Sequence, residues 1–417
     1  MFAAGESERG ADRSSGRQPG RGRRSWLYLL ATAAAVLLAL AVAVRETWKV
    51  FPVTGPDFEP LRHAALALRQ GHSIYSDPGF VYPPTAAIAV LPFSFGTYAT
   101  AHHAWLVLSS GALVGAVVAA VAASRTRSWP LLAAVAVAFF MKSDVLLDNV
   151  GVGNVSLPLA LLAVVMLIAF EEEHWTIGCA LLAVSLLIKP LLIPFALLPL
   201  ARGRWRSIVL TALPTAVVLV VAIFAVPGGR HFFSRAGYLA EGSNLHGKSV
   251  FYNLSLHGLA ERFDVGGVAT FVRIALAVVV VAMIGAWMQR TAAKGTTSAM
   301  GVVLLLAFML VGPLSEAHYI LVACPCLLLA LALRPEKRLL ALAVPGFFLM
   351  TVPRYYFGEV ASSLGSLQIR YFLVQVLFLV TAAVVALSSP SRSRETRPSA
   401  HESAMREPHP IHPSEPA

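Results

Sequence analysis

Charged residues are scarce in this chain, and their scarcity argues against a soluble globular protein. Only 13% of the 417 residues are Asp, Glu, Lys or Arg, whereas 57% are hydrophobic, and the mean hydropathy is +0.69. A typical soluble domain carries about 25% charged residues. The composition is therefore that of a polytopic membrane protein, in which each helical span needs roughly 20 apolar residues.

Cysteines and metal-binding patterns are also rare. Cys179, Cys324 and Cys326 all lie in apolar runs, which indicates buried thiols and not a disulfide framework. The sequence contains no HExxH motif and no Asp-x-Asp pair of the kind that holds the divalent ion of a nucleotide-sugar enzyme. We therefore expect neither a metal site nor a cofactor.

Long apolar runs predict an all-α membrane protein with about 12 passes. The runs are 25–44, 102–123, 129–145, 154–170, 207–226, 268–288, 298–311, 319–333, 339–352 and 370–388, and a further stretch, 176–200, reads as a hairpin of two short passes broken at Lys189-Pro190. A membrane domain then covers 25–388, and polar tails over 1–24 and 389–417 are predicted to be disordered and cytoplasmic.

Basic residues assign the two sides of the membrane. Positive charges concentrate in the cytoplasmic loops of membrane proteins. The net charge of +11 therefore indicates topology. It does not indicate nucleic-acid binding, because the sequence has no basic face with interleaved aromatic residues. With Tyr82-Pro83-Pro84 opening a re-entrant or interfacial segment over 82–98, all basic loops fall inside. A rival threading makes 82–98 a true span and 176–200 a single pass. It places Arg125 and Arg127 outside and Lys189 near the midplane, which is costly.

The outer loops carry the residues that could do chemistry. Asp57 lies a dozen residues after the first span, where a carboxylate could deprotonate a hydroxyl arriving from water. The alternatives are a helix cap or a solvated loop acid, and Glu59 and Asp77 compete for the same role. Lys189, set among leucines, could hold a phosphate as a point charge or could reach the headgroups by snorkelling.

Other outer polar residues are candidates for binding the substrate. Arg354 and His318 could contact a phosphate, although an interfacial anchor and a structural histidine are the simpler readings. The remaining candidates for acceptor or sugar contacts are Glu59, Tyr82, Asp148, Asn149, Asn154 and Asn244.

The order of these motifs resembles glycosyltransferase family 87. The resemblance runs from about residue 45 to 390 and rests on the early acid of Asp57-Phe58-Glu59-Pro60, on Gly71 to Tyr75, Tyr82-Pro83-Pro84, Asp148 to Asn154, and Leu187-Ile188-Lys189-Pro190-Leu191-Leu192. It implies the C-type glycosyltransferase (GT-C) fold, a polyprenyl-phosphate sugar donor, Asp57 as the base and Lys189 near the donor. His318-Tyr319 matches a later element of the family, but its surroundings depart from the pattern.

Within the family, the motifs are most similar to those of enzymes that build the actinobacterial cell wall. The resemblance implies transfer of arabinofuranose from decaprenyl-phosphoryl arabinose to arabinan, with inversion to an α-1,3 branch, at the outer face of the plasma membrane. An alternative is a polyprenyl-phosphomannose-dependent mannosyltransferase acting on phosphatidylinositol mannosides or lipomannan. A transporter of lipid-linked sugars is an alternative of another class, although it predicts polar groups near the midplane and repeated halves.

Overall fold

The computed structural model describes residues 20–52, 54–143, 150–240, 253–290, 293–313, 315–351 and 364–388. Within these ranges all regular secondary structure is helical, which confirms the all-α prediction. The α-helices are α1 (Gly20–Val50), α2 (Phe58–Arg69), α3 (Pro84–Ala89), α4 (Tyr98–Ala122), α5 (Trp129–Met141), α6 (Ser156–Glu171), α7 (Trp175–Ile188), α8 (Leu197–Ala201), α9 (Trp205–Ala225), α10 (Phe232–Ala240), α11 (Leu256–Phe263), α12 (Gly266–Met288), α13 (Thr296–Val311), α14 (Ile320–Leu333), α15 (Lys337–Thr351) and α16 (Leu364–Leu387). Single 3₁₀ segments cover Leu91–Ser94, Pro190–Ala196, Gly229–His231 and Ala317–Tyr319.

Five helical segments among the described residues are long and apolar enough to cross a membrane. They are Tyr28–Val50, Tyr98–Ala122, Trp205–Ala225, Gly266–Met288 and Arg370–Leu387. Shorter apolar helices cover most of the other predicted runs, so the positions of the runs agree with the structure while the total of 12 passes stays a prediction. Helix α1 begins at Gly20, inside the segment predicted as a tail, and the predicted tail over 389–417 lies outside the described residues.

The core lies between helices that are apolar on all sides. Almost every residue of α13 and α14 is buried, and α14 also packs on α4 and α6. A helix that is hydrophobic all round must be covered by neighbours or by lipid. By contrast, α9 and α12 leave most of their apolar side chains exposed, as expected of helices whose outer faces meet acyl chains.

Contacts at the two ends of α1 fix the direction of the following helices. The Tyr28 hydroxyl, near the start of α1, donates to the Arg127 carbonyl oxygen at 2.7 Å. At the other end, Lys142 pairs with the buried Glu46 carboxylate. Helix α5 therefore runs parallel to α1, and Arg127 lies at the same end of the bundle as the N-terminal end of α1. The rival threading, which places Arg127 across the membrane from that end, is wrong.

The segment 82–98 does not span the bundle. Helix α3 has six residues and is followed by one 3₁₀ turn; a six-residue helix rises only about 9 Å, against about 30 Å of hydrocarbon. Pro84 occupies its first turn, where a missing N–H costs nothing. The helix is thus too short for the true span of the rival threading, and a re-entrant or interfacial position for the segment stays a prediction. The segment after α1 forms the short helix α2, which ends before Gly71 at φ +73°.

The predicted break at Lys189-Pro190 is confirmed. Helix α7 ends at Ile188, Lys189 adopts an extended conformation with φ −156° and ψ 129°, and a 3₁₀ segment begins at Pro190. The residue before a proline is disfavoured in the α conformation, so the sequence itself dictates the break.

Candidate active site

Asp57 stands at the start of α2 without capping it. Its backbone N–H donates to the Val152 carbonyl oxygen at 2.8 Å, which joins the loop between α1 and α2 to the turn before α6. Its side chain makes no capping hydrogen bond to α2, and the residue is half-buried. The carboxylate is therefore not occupied as a helix cap, and that alternative reading of Asp57 is wrong.

Asn154 holds the Asp57 carboxylate in place. Its Nδ2 donates to Asp57 Oδ2 at 2.8 Å, and its Oδ1 accepts from the backbone N–H and the hydroxyl of Ser156, at 3.0 and 2.6 Å. Two donors on Oδ1 fix the orientation of the amide, because a flipped amide would turn its N–H groups against them. In the described ranges, Asn154 is the one side chain that hydrogen-bonds to the Asp57 carboxylate.

Gly153 allows the turn before α6 to approach α2 closely. Its φ is +77°, and a Cβ atom at this position would lie 2.7 Å from the Cβ atom of Phe58. The Gly153 carbonyl oxygen accepts from the Trp105 indole N–H at 2.7 Å. Phe58 in turn stacks on Trp105, with ring centroids 5.6 Å apart. Backbone and rings together hold Asp57 and Asn154 at hydrogen-bonding distance.

Lys189 projects into an aromatic pair. Its Nζ lies 4.5 Å from the centroid of the Tyr319 ring and 5.4 Å from that of Tyr82. Burial lowers the pKa of the ammonium, while the nearby Glu316 and Asp57 carboxylates oppose that change. The Thr85 hydroxyl donates to the Leu187 carbonyl oxygen, which ties the start of α3 to the Lys189 turn. A cation held between π faces in a partly dehydrated site suits an anionic ligand.

Glu316 is a site residue that the sequence predictions omitted. The His318 Nε2 atom lies 2.9 Å from Glu316 Oε2, and Tyr319 hydrogen-bonds to the same carboxylate. Burial raises the pKa of Glu316, but His318 and then Lys189 outweigh it and lower the pKa to about 2. The signal in the sequence was the run Glu316-Ala317-His318-Tyr319, in which an acid, an imidazole and a phenol precede one apolar helix.

Asp57 and Lys189 lie in one electrostatic neighbourhood. The negative charge of Asp57 opposes the burial that lowers the pKa of Lys189. Tyr82 lies within range of the same charge and of that of Glu316. Burial first, and then these two carboxylates, hold the pKa of Tyr82 well above its ordinary value. Segments that are distant in sequence thus converge at one end of the bundle: the loop between α1 and α2, the start of α3, the Lys189 break and the residues just before α14.

The other predicted candidates are placed differently. Glu59 is exposed on α2, with Oε1 3.8 Å from the His63 Nε2 atom. Asp77 accepts from the Gly79 N–H at 2.7 Å and lies 2.7 Å from His63 Nδ1, as expected of a turn residue. Asp148, Asn149, Asn244 and Arg354 lie outside the described residues.

Metal ligands do not gather in the described part of the chain. No group of three or more His, Cys, Asp or Glu side chains there could hold an ion. The titratable side chains described at the site are two carboxylates, one lysine ammonium and one imidazole.

The chain matches a known protein-family model. The model of glycosyltransferase family 87 matches residues 80–314, more than half of the chain. The chain belongs to glycosyltransferase family 87. The matched range includes Tyr82, Asn154 and Lys189, whereas Asp57 and Glu316 lie outside it.

Curated relatives are similar to this chain over about half of their length. An alpha-(1->3)-arabinofuranosyltransferase of Corynebacterium glutamicum is 28% identical over 240 residues, which cover 55% of this chain and 54% of the relative. A protein of the same name from Mycobacterium tuberculosis is 28% identical over 242 residues, 54% of each chain. The chain thus spans about half the length of the curated relatives that it matches.

Proposed function

We propose that this family 87 protein transfers arabinofuranose from a polyprenyl-phosphate donor, decaprenyl-phosphoryl arabinose, to a hydroxyl of cell-wall arabinan. The names of the two relatives support the sugar and the α-1,3 linkage. Five helices able to cross a membrane support a reaction at the bilayer surface, where a lipid-linked donor would be met. The site would face the outer side, and the lipid bilayer and a glycan or glycolipid acceptor would be its partners.

The proximity of Asp57 and Lys189, which both lie near Tyr82 at one end of the bundle, is the observation that carries this proposal. Transfer from a phosphate ester requires a base for the acceptor hydroxyl and a positive charge for the departing phosphate. Asp57 is a half-buried carboxylate with a single described side-chain donor, so it retains lone pairs for an incoming O–H group. Lys189 supplies the ammonium. Glu316, which lies near Lys189, also contacts the His318 imidazole.

The reaction can be written with these groups alone. The acceptor oxygen attacks the anomeric carbon while Asp57 takes its proton, and the bond between that carbon and the phosphate oxygen breaks. The electron pair leaves with the polyprenyl phosphate, whose added charge Lys189 stabilises. Direct displacement inverts the anomeric centre, so a β-linked donor yields an α-linked product. General-base catalysis of this kind contributes about 10²–10⁴-fold in rate.

Glu316 balances the positive charges before the donor arrives. With a pKa of about 2 it stays ionised at neutral pH, and it faces both His318 and Lys189. An unpaired ammonium in a dehydrated pocket would tend to lose its proton. We therefore assign to Glu316 the role of keeping Lys189 charged, and not that of a second base.

A comparison of lipid donors tests the proposed substrate. Purified chain in proteoliposomes is supplied with decaprenyl-phosphoryl [¹⁴C]arabinose or with polyprenyl-phospho-[¹⁴C]mannose, together with an oligoarabinan or a phosphatidylinositol mannoside. Arabinan extension with the arabinose donor is the expected result. Extension with the mannose donor alone would replace arabinose by mannose in the proposal, and sugar crossing the bilayer without any transfer would indicate a transporter.

A further inference from the structure

A polar cavity lies beside the candidate active site without being part of it. Its volume is about 450 Å³, and its lining consists of Ser73, Tyr75, His231, Ser234 and Arg235. This volume is within the range of small-ligand sites, which is about 300–1,000 Å³. None of these residues took part in the proposed transfer reaction, so the cavity requires a separate explanation.

Close backbone packing builds the cavity. The Ile74 N–H donates to the Pro227 carbonyl oxygen at 3.1 Å, which joins the loop after α2 to the loop after α9. Gly228 adopts φ +78°, and a Cβ atom there would lie 2.0 Å from the Ser73 hydroxyl oxygen. Only glycine can occupy this position, so the two cavity walls are held in fixed register.

Among the described residues the lining is cationic and contains no carboxylate or amide side chain. Two of its hydroxyls already donate within the protein, Tyr75 to the Tyr82 carbonyl oxygen at 2.7 Å and Ser234 to that of His231 at 2.8 Å. Arg235, His231 and Ser73 remain to bind a ligand. In the described ranges no ion pair involves Arg235. A guanidinium with an imidazole and a hydroxyl is a set of donors suited to a phosphate group.

The cavity and the active site share one wall. Tyr75 lines the cavity, its hydroxyl is bonded to the backbone of Tyr82, and the Tyr82 ring lies against the Lys189 ammonium. Phe80 packs between the two tyrosines, 5.2 Å from the Tyr75 ring and 5.8 Å from that of Tyr82. A ligand in the cavity would therefore be one layer of aromatic rings away from the reacting groups.

We propose that this cavity is a second phosphate site, centred on Arg235, which binds the phosphomonoester or phosphodiester group of a molecule reaching the same end of the bundle. Whether that molecule is a substrate rests on the proposed function, whereas the binding itself does not. The phosphate can come from a lipid headgroup or from a soluble compound, and the experiment separates these two sources.

Protection of an introduced thiol tests the site. The three native cysteines are buried, so Ser234→Cys provides a selective target for a maleimide in the full-length, detergent-solubilised chain. Labelling rates are measured with dioctanoyl phosphatidylglycerol, with inorganic phosphate and with uncharged dioctanoylglycerol. We expect the phospholipid to slow labelling about tenfold through charge-assisted contacts, and the uncharged lipid to have no effect. Protection by inorganic phosphate as well would show that a soluble phosphate suffices, whereas protection by the lipid alone identifies a headgroup.

Neighbouring arginines provide the matched control. Ser234→Cys combined with Arg235→Gln should lose the protection, whereas the combination with Arg230→Gln should keep it, because Arg230 lies over the Phe224 ring and does not line the cavity. Arg235→Lys keeps a charge and should retain part of the effect even if the glutamine variant folds poorly. Equal protection by the uncharged lipid, no protection by either phosphate probe, or full protection in the Arg235→Gln variant would overturn the proposal. Lys189→Met should keep the protection, so failure here is distinct from failure of the transfer reaction.

Discussion

The side-chain amide of Asn154 donates a 2.8 Å hydrogen bond to the carboxylate of Asp57, across 97 positions of sequence. The same amide accepts two hydrogen bonds from Ser156 at the start of α6. The direction of the Asp57 carboxylate is thus set by the start of α6, a helix distant in sequence, and not by the helix that Asp57 begins.

Asn154→Ala should reduce transfer without unfolding the chain. The variant loses the hydrogen bond that orients Asp57, and misplaced catalytic groups commonly cost about 10²-fold in rate. The KM for the donor should change little, because Lys189 is untouched. Steady-state kinetics with the lipid donor measure both quantities.

Ser156→Ala is the matched control for that variant. It removes the 2.6 Å hydroxyl contact to Asn154 Oδ1 but leaves the backbone contact and the bond to Asp57 in place. We expect a loss of stability of about 1 kcal/mol with most of the transfer rate retained. Equal rate losses in the two variants would show that Asn154 acts only as a helix cap.

Gly153→Ala should disturb the site through a steric clash, whereas Gly71→Ala should cause no clash. Both glycines have positive φ, so both variants pay a backbone cost of about 1–2 kcal/mol. Only at Gly153 would the new Cβ atom lie 2.7 Å from Phe58, whereas nothing lies within 4 Å at Gly71. An added 1–3 kcal/mol from overpacking is roughly expected at Gly153. Thermal unfolding in detergent and transfer assays on both variants measure the difference.

Lys189→Met should reduce transfer by about 100-fold, since a charge on the departing phosphate is worth several kcal/mol in a dehydrated site. Lys294→Met is the control and should keep the wild-type rate, because Lys294 is exposed and its neighbour Gly295 donates to Glu171, at the opposite end of α6 from Asn154. Similar losses in both variants would point to a general effect of surface charge.

The pH profile should report Lys189 on its alkaline side. Burial lowers the pKa of this ammonium, so rising pH removes its proton earlier than from an exposed lysine, and transfer should fall. Tyr82 does not produce this fall, because its pKa is held well above the ordinary value. Lys189→Arg should move the alkaline limb upwards, since guanidinium stays protonated. An unchanged limb in that variant would assign it to another group.

Glu316 should make the stability of the folded chain depend on pH in the acidic range. Its pKa in the folded protein is about 2 and its ordinary value is 4.5, so its stabilising contribution is present above pH 4.5 and is lost as pH falls towards 2. The difference corresponds to roughly 3 kcal/mol at neutral pH. The Glu316→Gln variant should therefore be less stable than the wild type at pH 7, and its free energy of unfolding should depend less on pH between pH 5 and 3. Parallel stability curves for the variant and the wild type would contradict this account.

Sequence patterns located the helices but not the contacts between distant loops. Runs of apolar residues gave the positions of the spans, and Lys189-Pro190 gave the break, because both depend on local chemistry. The direction of α5, by contrast, follows from Tyr28 meeting Arg127, a contact between residues 99 positions apart. Loop charges alone had left two threadings open.

The same limit applies to the site. Asp57 and Lys189 could be predicted as site residues from the sequence, because a carboxylate after a span and a lysine among leucines are rare. Asn154 was predicted only as a sugar contact, and Glu316 was not predicted at all. Their roles depend on partners that packing brings together, Asp57 for the first and His318 with Lys189 for the second.

Transfer by Asp57→Asn is the measurement that tests the central claim most directly. The asparagine side chain is nearly isosteric but cannot take a proton, so the variant should fold, bind the lipid donor and lose transfer by about 10²–10⁴-fold. Glu59→Gln, two residues away on the exposed face of α2, should keep the wild-type rate. Full activity in Asp57→Asn, with the loss appearing in Glu59→Gln instead, would contradict the account.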